Sequence, residues 1–298
     1  MTKMKTKQNI IFISDLHLGS GKSNDFHATF QLHRLFNYAA KNATELVIVG
    51  DFLELLQSEL TEVYIQHHPI FVHLFALARE ISVRYVIGNH DALTAIDFRP
   101  DGKSWFLGSP ILITPEYENR ELKIFSAHGH QYSLFNQCDD ILDISEGSSP
   151  GDRIARVIGW LEQHLHHKVD NVLEKVYLDY KFLLRKILRE TKNQAKLVTP
   201  AHPLYEKFGG DYSEYECGAL SVLRSDRHSL VIFGHTHQAL LKTFKKEHDG
   251  VNGIYANAGS WVGEDFLKNP PVFVEVNAEI VKLINAETFE VFASAKRS

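Results

Sequence analysis

The chain has 298 residues and a mass of 34.0 kDa, enough for one large α/β domain, or such a domain with an insertion. Hydrophobic residues make up 44% and charged residues 23%, the balance of a soluble globular protein, and a net charge of −5 argues against nucleic acid as partner. The two cysteines, Cys138 and Cys217, give neither a disulfide framework nor a zinc-finger spacing. The apolar run Ile10 to Ile13 is too short for a signal-peptide core, and no stretch approaches the ~20 apolar residues of a membrane span, so a reducing, cytoplasmic setting is expected.

In chain order, NIIFIS, ELVIVGD, VRYVIGNHD and ELKIFSAH each read as a buried strand ending in a polar cluster. Phe26 to Asn42 and Pro69 to Arg79 read as helices between the first three. This alternation predicts an α/β fold. From Asp152 to Lys196 the strand signal stops, and apolar residues recur three or four apart, from Ile154, Ile158 and Leu161 to Ile187 and Leu188. Residues 137–201 therefore read as a helical cap inserted in a single domain spanning 1–298. Between Asp152 and Lys196, ten Lys and Arg stand against six Asp and Glu, a net +4. Excess positive charge opposite an apolar stripe suits either an ordinary solvated face or peripheral contact with a phosphate-bearing or lipid surface. Asp211 to Asp226 reads as a helix. SLVIFGHTH, LLKTF, GIYANAGSW, PVFVEVN and IVKLINA follow as short strands.

Five polar clusters close predicted strands: Asp15-Leu16-His17, Gly50-Asp51, Gly88-Asn89-His90-Asp91, His128-Gly129-His130 and Gly234-His235-Thr236-His237. Ligands of open α/β sheets bind at the carboxyl ends of the strands, so clusters far apart in sequence can converge there. Carboxylate, imidazole and amide oxygen suit divalent ions such as Mn, Fe, Zn or Co, and the absence of cysteine argues against a structural zinc site. Residues two apart in extended backbone share a face, which lets Asp15 and His17, or His235 and His237, hold one ion. The bland alternative is a set of turn residues, since Asp, Asn and Gly favour turns.

The five clusters, in this order, resemble the calcineurin-like metallophosphoesterase signature: D-x-H, G-D, G-N-H-D/E, a single H, then G-H-x-H. The resemblance covers most of the chain outside the cap. It implies a four-layer α/β/β/α sandwich with an inserted helical cap. It also implies two divalent metal ions, with Mn the first choice and Fe, Zn or Co alternatives. Asp15, His17 and His237 would hold the first ion, Asn89, His128 and His235 the second, and Asp51 would bridge them. Two ions ~3.5–4 Å apart activate a bridging water, which would attack phosphorus in line. His90 would face a phosphoryl oxygen or the leaving group, stabilising charge or donating a proton, and Asp91 would fix its tautomer. His130 would contact substrate or pack behind a ligand.

Within the family, the cap, Ser14-Asp15-Leu16-His17-Leu18-Gly19 and Gly50-Asp51-Phe52-Leu53-Glu54-Leu55-Leu56 resemble the UDP-2,3-diacylglucosamine hydrolase branch. That resemblance implies a lipid-linked or nucleotide pyrophosphate substrate handled at the cytosolic face of a membrane. His90 departs from it, since that branch has Arg there; the general-family His suits nucleotide or cyclic-nucleotide phosphodiesters as an alternative. A metal-binding scaffold without catalysis is the non-enzyme alternative. His164, His166 and His167 read as solvated cap residues. Asn257-Ala258-Gly259-Ser260-Trp261 reads as a tight turn with a packed Trp. The sequence leaves the oligomeric state open.

Overall fold

The computed structural model describes residues 8–19, 21, 25–91, 104–132, 212–263 and 270–297. The chain divides into two compact units, Met1–Gly129 with Val222–Ser298, and His130–Ser221. The expected cap at 137–201 lies outside the described residues.

The first unit contains two sheets. Its strands are β1 (Asn9–Ile13), β2 (Glu45–Val49), β3 (Ser82–Val86), β4 (Ser104–Trp105), β5 (Leu112–Thr114), β6 (Tyr117–Asn119), β7 (Ile124–Ser126), β8 (Leu230–Phe233), β9 (Leu240–Phe244), β10 (Gly253–Asn257), β11 (Val272–Asn277), β12 (Ile280–Asn285) and β13 (Val291–Lys296). One sheet has eight strands in the order β13-β12-β11-β1-β2-β3-β5-β4, and the other has five in the order β6-β7-β8-β10-β9. β1, β2, β3 and β5 run parallel, as do β7, β8 and β10.

The central strands are apolar on both faces because each face meets a layer. Ile11, Ile13, Leu46, Ile48, Val83 and Tyr85 face a cluster that includes Leu32, Leu35, Phe36, Phe71 and Leu74. These last residues come from α1 (Thr29–Asn42) and α3 (His68–Glu80). The alternate residues, Ile10, Phe12, Val47, Val49 and Val86, pack with Ile124, Leu230, Ile232, Ile254 and Ala256 of the second sheet. This is the period-two alternation of a strand buried on both sides, and each such side chain contributes roughly 1.5–3 kcal/mol on burial.

Helix α1 begins at Thr29, three residues later than the sequence predicts, because Phe26 bridges to Val262 as a short strand pair. Pro69 sits in the first turn of α3, where its missing N–H costs nothing. The short α2 (Leu60–Gln66) precedes it and was not predicted. The helix α4 (Glu214–Leu223) falls within the predicted stretch and carries the chain from the second unit into the first. Its end lies on β10: a Cβ added at Gly253 would sit 2.6 Å from the Leu223 side chain. The mixed α/β class with two stacked sheets agrees with the expected sandwich. In the second unit the described residues include a 3-10 turn, His130–Tyr132. Among the described residues no helix is long and apolar enough to cross a membrane.

Candidate metal centre

The five polar clusters follow β1, β2, β3, β7 and β8. β1, β2 and β3 are parallel neighbours in one sheet, and β7 and β8 in the other. Their carboxyl ends are tied by hydrogen bonds within the larger sheet, from Ser14, and between the two sheets, from His128 and His235. Ser14 Oγ and His128 Nδ1 both donate to the Val49 carbonyl, at 2.7 and 2.8 Å, and the His235 N–H donates to the Asp15 carboxylate at 2.9 and 3.1 Å.

Three groups of candidate ligands result among the described residues: His17, Glu54 and His90, and the two that follow. Asp15, His17 and His237 offer ligand atoms within 4.8 Å of one another, and so do Asp51, His128 and His235. The Asp15 Oδ1–His237 Nε2 distance is 3.3 Å, and His17 Nε2 lies 3.2 Å from His237 Nε2. Asp51 Oδ2 stands 2.9 Å from His128 Nε2 and 3.8 Å from His17 Nε2, so this carboxylate reaches toward both groups. Asn89 lies between Gly88 and His90, and the His90 N–H donates to Asp51 Oδ1 at 2.9 Å, which brings this segment beside Asp51. His130, by contrast, opens the 3-10 turn of the second unit.

The backbone here departs from ordinary strand geometry. Asp15, His17, Asp51, His235 and His237 all have positive φ, between 46° and 65°. Non-glycine residues occupy this region rarely, Asp and His more readily than most, and each costs of order 1–3 kcal/mol unless its surroundings over-determine it. Close approach is the reason for two motif glycines. A Cβ at Gly88 would lie 2.0 Å from Asp51 Oδ1, and one at Gly234 would lie 1.8 Å from Ser14 Oγ.

The residues fit a pair of divalent cations. Because His128 Nδ1 donates to a carbonyl, its Nε2 carries the lone pair that faces Asp51. His17 is oriented the same way: its Nδ1 meets Glu54 Oε2 at 2.9 Å, which turns Nε2 toward Asp15, Asp51 and His237. Lone pairs at these separations need a proton or a cation between them, and an N/O donor set of this composition suits borderline and hard divalent ions.

The metal-free electrostatics agree. Burial works against every charge here. For His128, burial lowers the pKa, but Asp51 and Asp15 outweigh it and push it up to about 9. His17 is likewise raised despite its burial, chiefly by Asp15 and Glu54. Burial would raise Asp15 and Asp51, yet His128 holds both carboxyls well below the usual range, helped by His17 and His237 for Asp15 and by His90 and His17 for Asp51.

A family model for calcineurin-like phosphoesterases matches residues 8–239. The chain belongs to that family. Similar solved structures include the phosphoesterase Yfce from E. coli, at 14% identity over 98% of this chain and 100% of that one, with a TM-score of 0.45. Another is a dimetal phosphatase from Danio rerio, at 14% identity over 98% and 99% of the two chains, with a TM-score of 0.48. No curated protein sequence matched the chain.

In this family member, one buried acid at the site carries no signal in the five motifs. Glu54 is buried, and its Oε2 takes both His17 Nδ1 and His90 Nδ1, the latter at 2.6 Å. Burial opposes its charge, but His90 and then His17 hold its pKa down to about 2. The orienting role expected of Asp91 therefore falls to Glu54. Asp91 binds backbone instead: its carboxylate accepts from Phe52 N–H at 2.8 Å and Gly88 N–H at 2.7 Å, and from the Tyr85 hydroxyl. Burial and the nearby Asp51 push its pKa up to about 6. The reason is geometric: the chain turns after Asn89, so consecutive side chains diverge. The signal for Glu54 was an acid inside the apolar run Phe52 to Leu56, three residues after Asp51.

Proposed function

We propose that this protein is a two-metal phosphoesterase that hydrolyses a phosphoester or pyrophosphate bond. The observation that carries the reading is the placement of Asp51 between two imidazole-carboxylate groups, 2.9 Å from His128 and 3.8 Å from His17. Asp15, His17 and His237 would hold one ion, Asn89, His128 and His235 the other, and Asp51 both. The ions, Mn2+ by preference, would supply charge neutralisation on the phosphoryl oxygens and an activated water.

The chain's own residues do the rest. Val49 C=O and Glu54 fix the tautomers of His128 and His17, so that lone pairs face the centre. His90 keeps about a fifth of its side-chain surface open, at 21%. With Nδ1 engaged by Glu54, its Nε2 is the atom that carries a proton to the leaving oxygen. The Glu54 charge favours the protonated imidazole, and His90 is raised above the usual histidine range by Asp51 and Glu54 against the effect of burial.

For the substrate we propose a lipid-linked or nucleotide pyrophosphate. The support is the Gly50-Asp51-Phe52-Leu53-Glu54 segment and the basic, amphipathic sequence of 152–196, which suits a phosphate-bearing amphiphile at a membrane surface. His90 favours a second reading, a nucleotide or cyclic-nucleotide phosphodiesterase, because an imidazole acid serves a range of alcohol leaving groups. The test is hydrolysis by Mn2+-loaded protein of a long-chain UDP-lipid, cyclic nucleotides and bis-p-nitrophenyl phosphate. Metal-dependent turnover of the generic diester supports the reaction class, and cleavage of the UDP-lipid supports the substrate class. A folded, Mn2+-loaded protein that turns over none of the three contradicts the proposal and points to a scaffold.

A further inference from the structure

The segment Asn257-Ala258-Gly259-Ser260-Trp261 starts at the last residue of β10 and contributes none of the candidate ligands. Its hydrogen bonds nonetheless end on the two motifs that open and close the site. The Trp261 N–H donates to the Asp15 carbonyl at 3.0 Å, and Ser260 Oγ donates to the same oxygen at 3.1 Å. Asn257 Nδ2 donates to the Gly234 carbonyl at 2.7 Å, immediately before His235. The segment is itself anchored. Asn257 and Trp261 are buried, the indole N–H donates to the Val272 carbonyl at 3.0 Å, and the Gly259 N–H donates to Asn257 Oδ1 at 3.0 Å.

The carbonyls held in this way belong to strained neighbourhoods. Asp15 has φ 57°, and His235 and His237, just after Gly234, have φ 65° and 57°. Such conformations persist only where surrounding bonds fix the peptide planes. The two points of attachment are also joined, because the His235 N–H donates to the Asp15 carboxylate.

We propose that Asn257, Ser260 and the Trp261 backbone form a positioning segment that locks the left-handed turns at Asp15 and His235, and thereby sets the metal affinity of the site. This rests on the two-metal reading above. The two attachments have unequal reach. Ser260 supports Asp15, a ligand of one group, whereas Asn257 supports the turn that supplies His235 to one group and His237 to the other. The segment acts through the ligands and touches no substrate.

The test is equilibrium Mn2+ titration of the full-length protein and its Ser260→Ala, Ser260→Thr and Asn257→Ala variants, alongside thermal unfolding of each without metal. Ser260→Ala is expected to weaken one of the two sites by about threefold to tenfold, the loss of one hydrogen bond, and Ser260→Thr to restore it. Asn257→Ala is expected to weaken both sites by about tenfold or more. Should Asn257→Ala fail to fold, the half-buried Ser260 pair still decides. Two wild-type Mn2+ sites that Ser260→Ala leaves unchanged, with only the metal-free unfolding temperature lowered, overturn the positioning role and leave the two-metal reading standing. Wild-type protein that takes up no Mn2+ overturns that reading and the positioning role together.

Discussion

The bodies of β1, β2 and β3 and the residues just beyond them obey opposite rules. Within the strands, Ile10 to Ile13 and Leu46 to Val49 are apolar and buried on both faces. Two to four residues later the chain buries Asp15, His17 and Asp51 in left-handed conformations, among charges that burial disfavours. The first region stabilises the fold, and the second would not persist without it. Strained, desolvated groups at the rim of a rigid sheet are what a metal centre requires, because cations supply the charge that the folded chain lacks.

Four substitutions or conditions separate the two regions. The largest effect is expected at His90, which the proposed mechanism uses as the acid and leaves out of the ligand set: His90→Gln should lower kcat by about 10²–10⁴-fold with Mn2+ stoichiometry unchanged. Steady-state kinetics with metal analysis checks this. Glu54→Gln should cost about 10–100-fold, and it should touch metal retention as well as kcat, since one carboxylate oxygen holds both His17 and His90.

Smaller still, taken per pH unit, is a pH effect. In metal-free protein His128 is held up to about 9, so an ion must displace its proton. Mn2+ affinity should rise with pH up to about 9 by up to about tenfold per unit for this one proton, and level off above it. Calorimetry in buffers of different ionisation enthalpy reads the proton released. The sign for folding is the reverse. The stabilisation from protonated His128 is fully present below ~6.5 and is lost as pH rises through about 9, so metal-free protein should weaken there while loaded protein does not. The least effect on activity is expected from the strand side. Phe36→Ala, at a fully buried position under α1, should cost about 3–5 kcal/mol of stability by denaturant unfolding. Its turnover per folded, loaded molecule should stay within about twofold of wild type.

The same contrast explains what the sequence revealed. Strands buried on both faces announce themselves as apolar runs, so β1, β2, β3, β7 and β8 and the five clusters after them were legible. β4 to β6, two or three residues long, show neither a period nor the fully buried apolar run that marks the equally short β7. β13 shows no apolar run because Val291, Phe292, Ser294 and Lys296 lie exposed at a sheet edge and only its two alanines pack inward. Glu54 was missed because its partners stand 37 and 36 residues away. Asp91 meets Phe52, Gly88 and Tyr85 while Glu54 meets His90, a pairing that adjacency in sequence does not announce. Turn residues such as Asn257 and Ser260 look alike whether they hold a ligand's backbone or merely reverse the chain.

The most direct test of the metal centre is electron paramagnetic resonance of Mn2+-loaded protein. Two ions that share Asp51 should give the spectrum of a spin-coupled pair at a stoichiometry of two, and Asp51→Asn should abolish that coupling. A folded wild-type protein that binds no Mn2+, or only isolated ions with uncoupled spectra, would contradict the account.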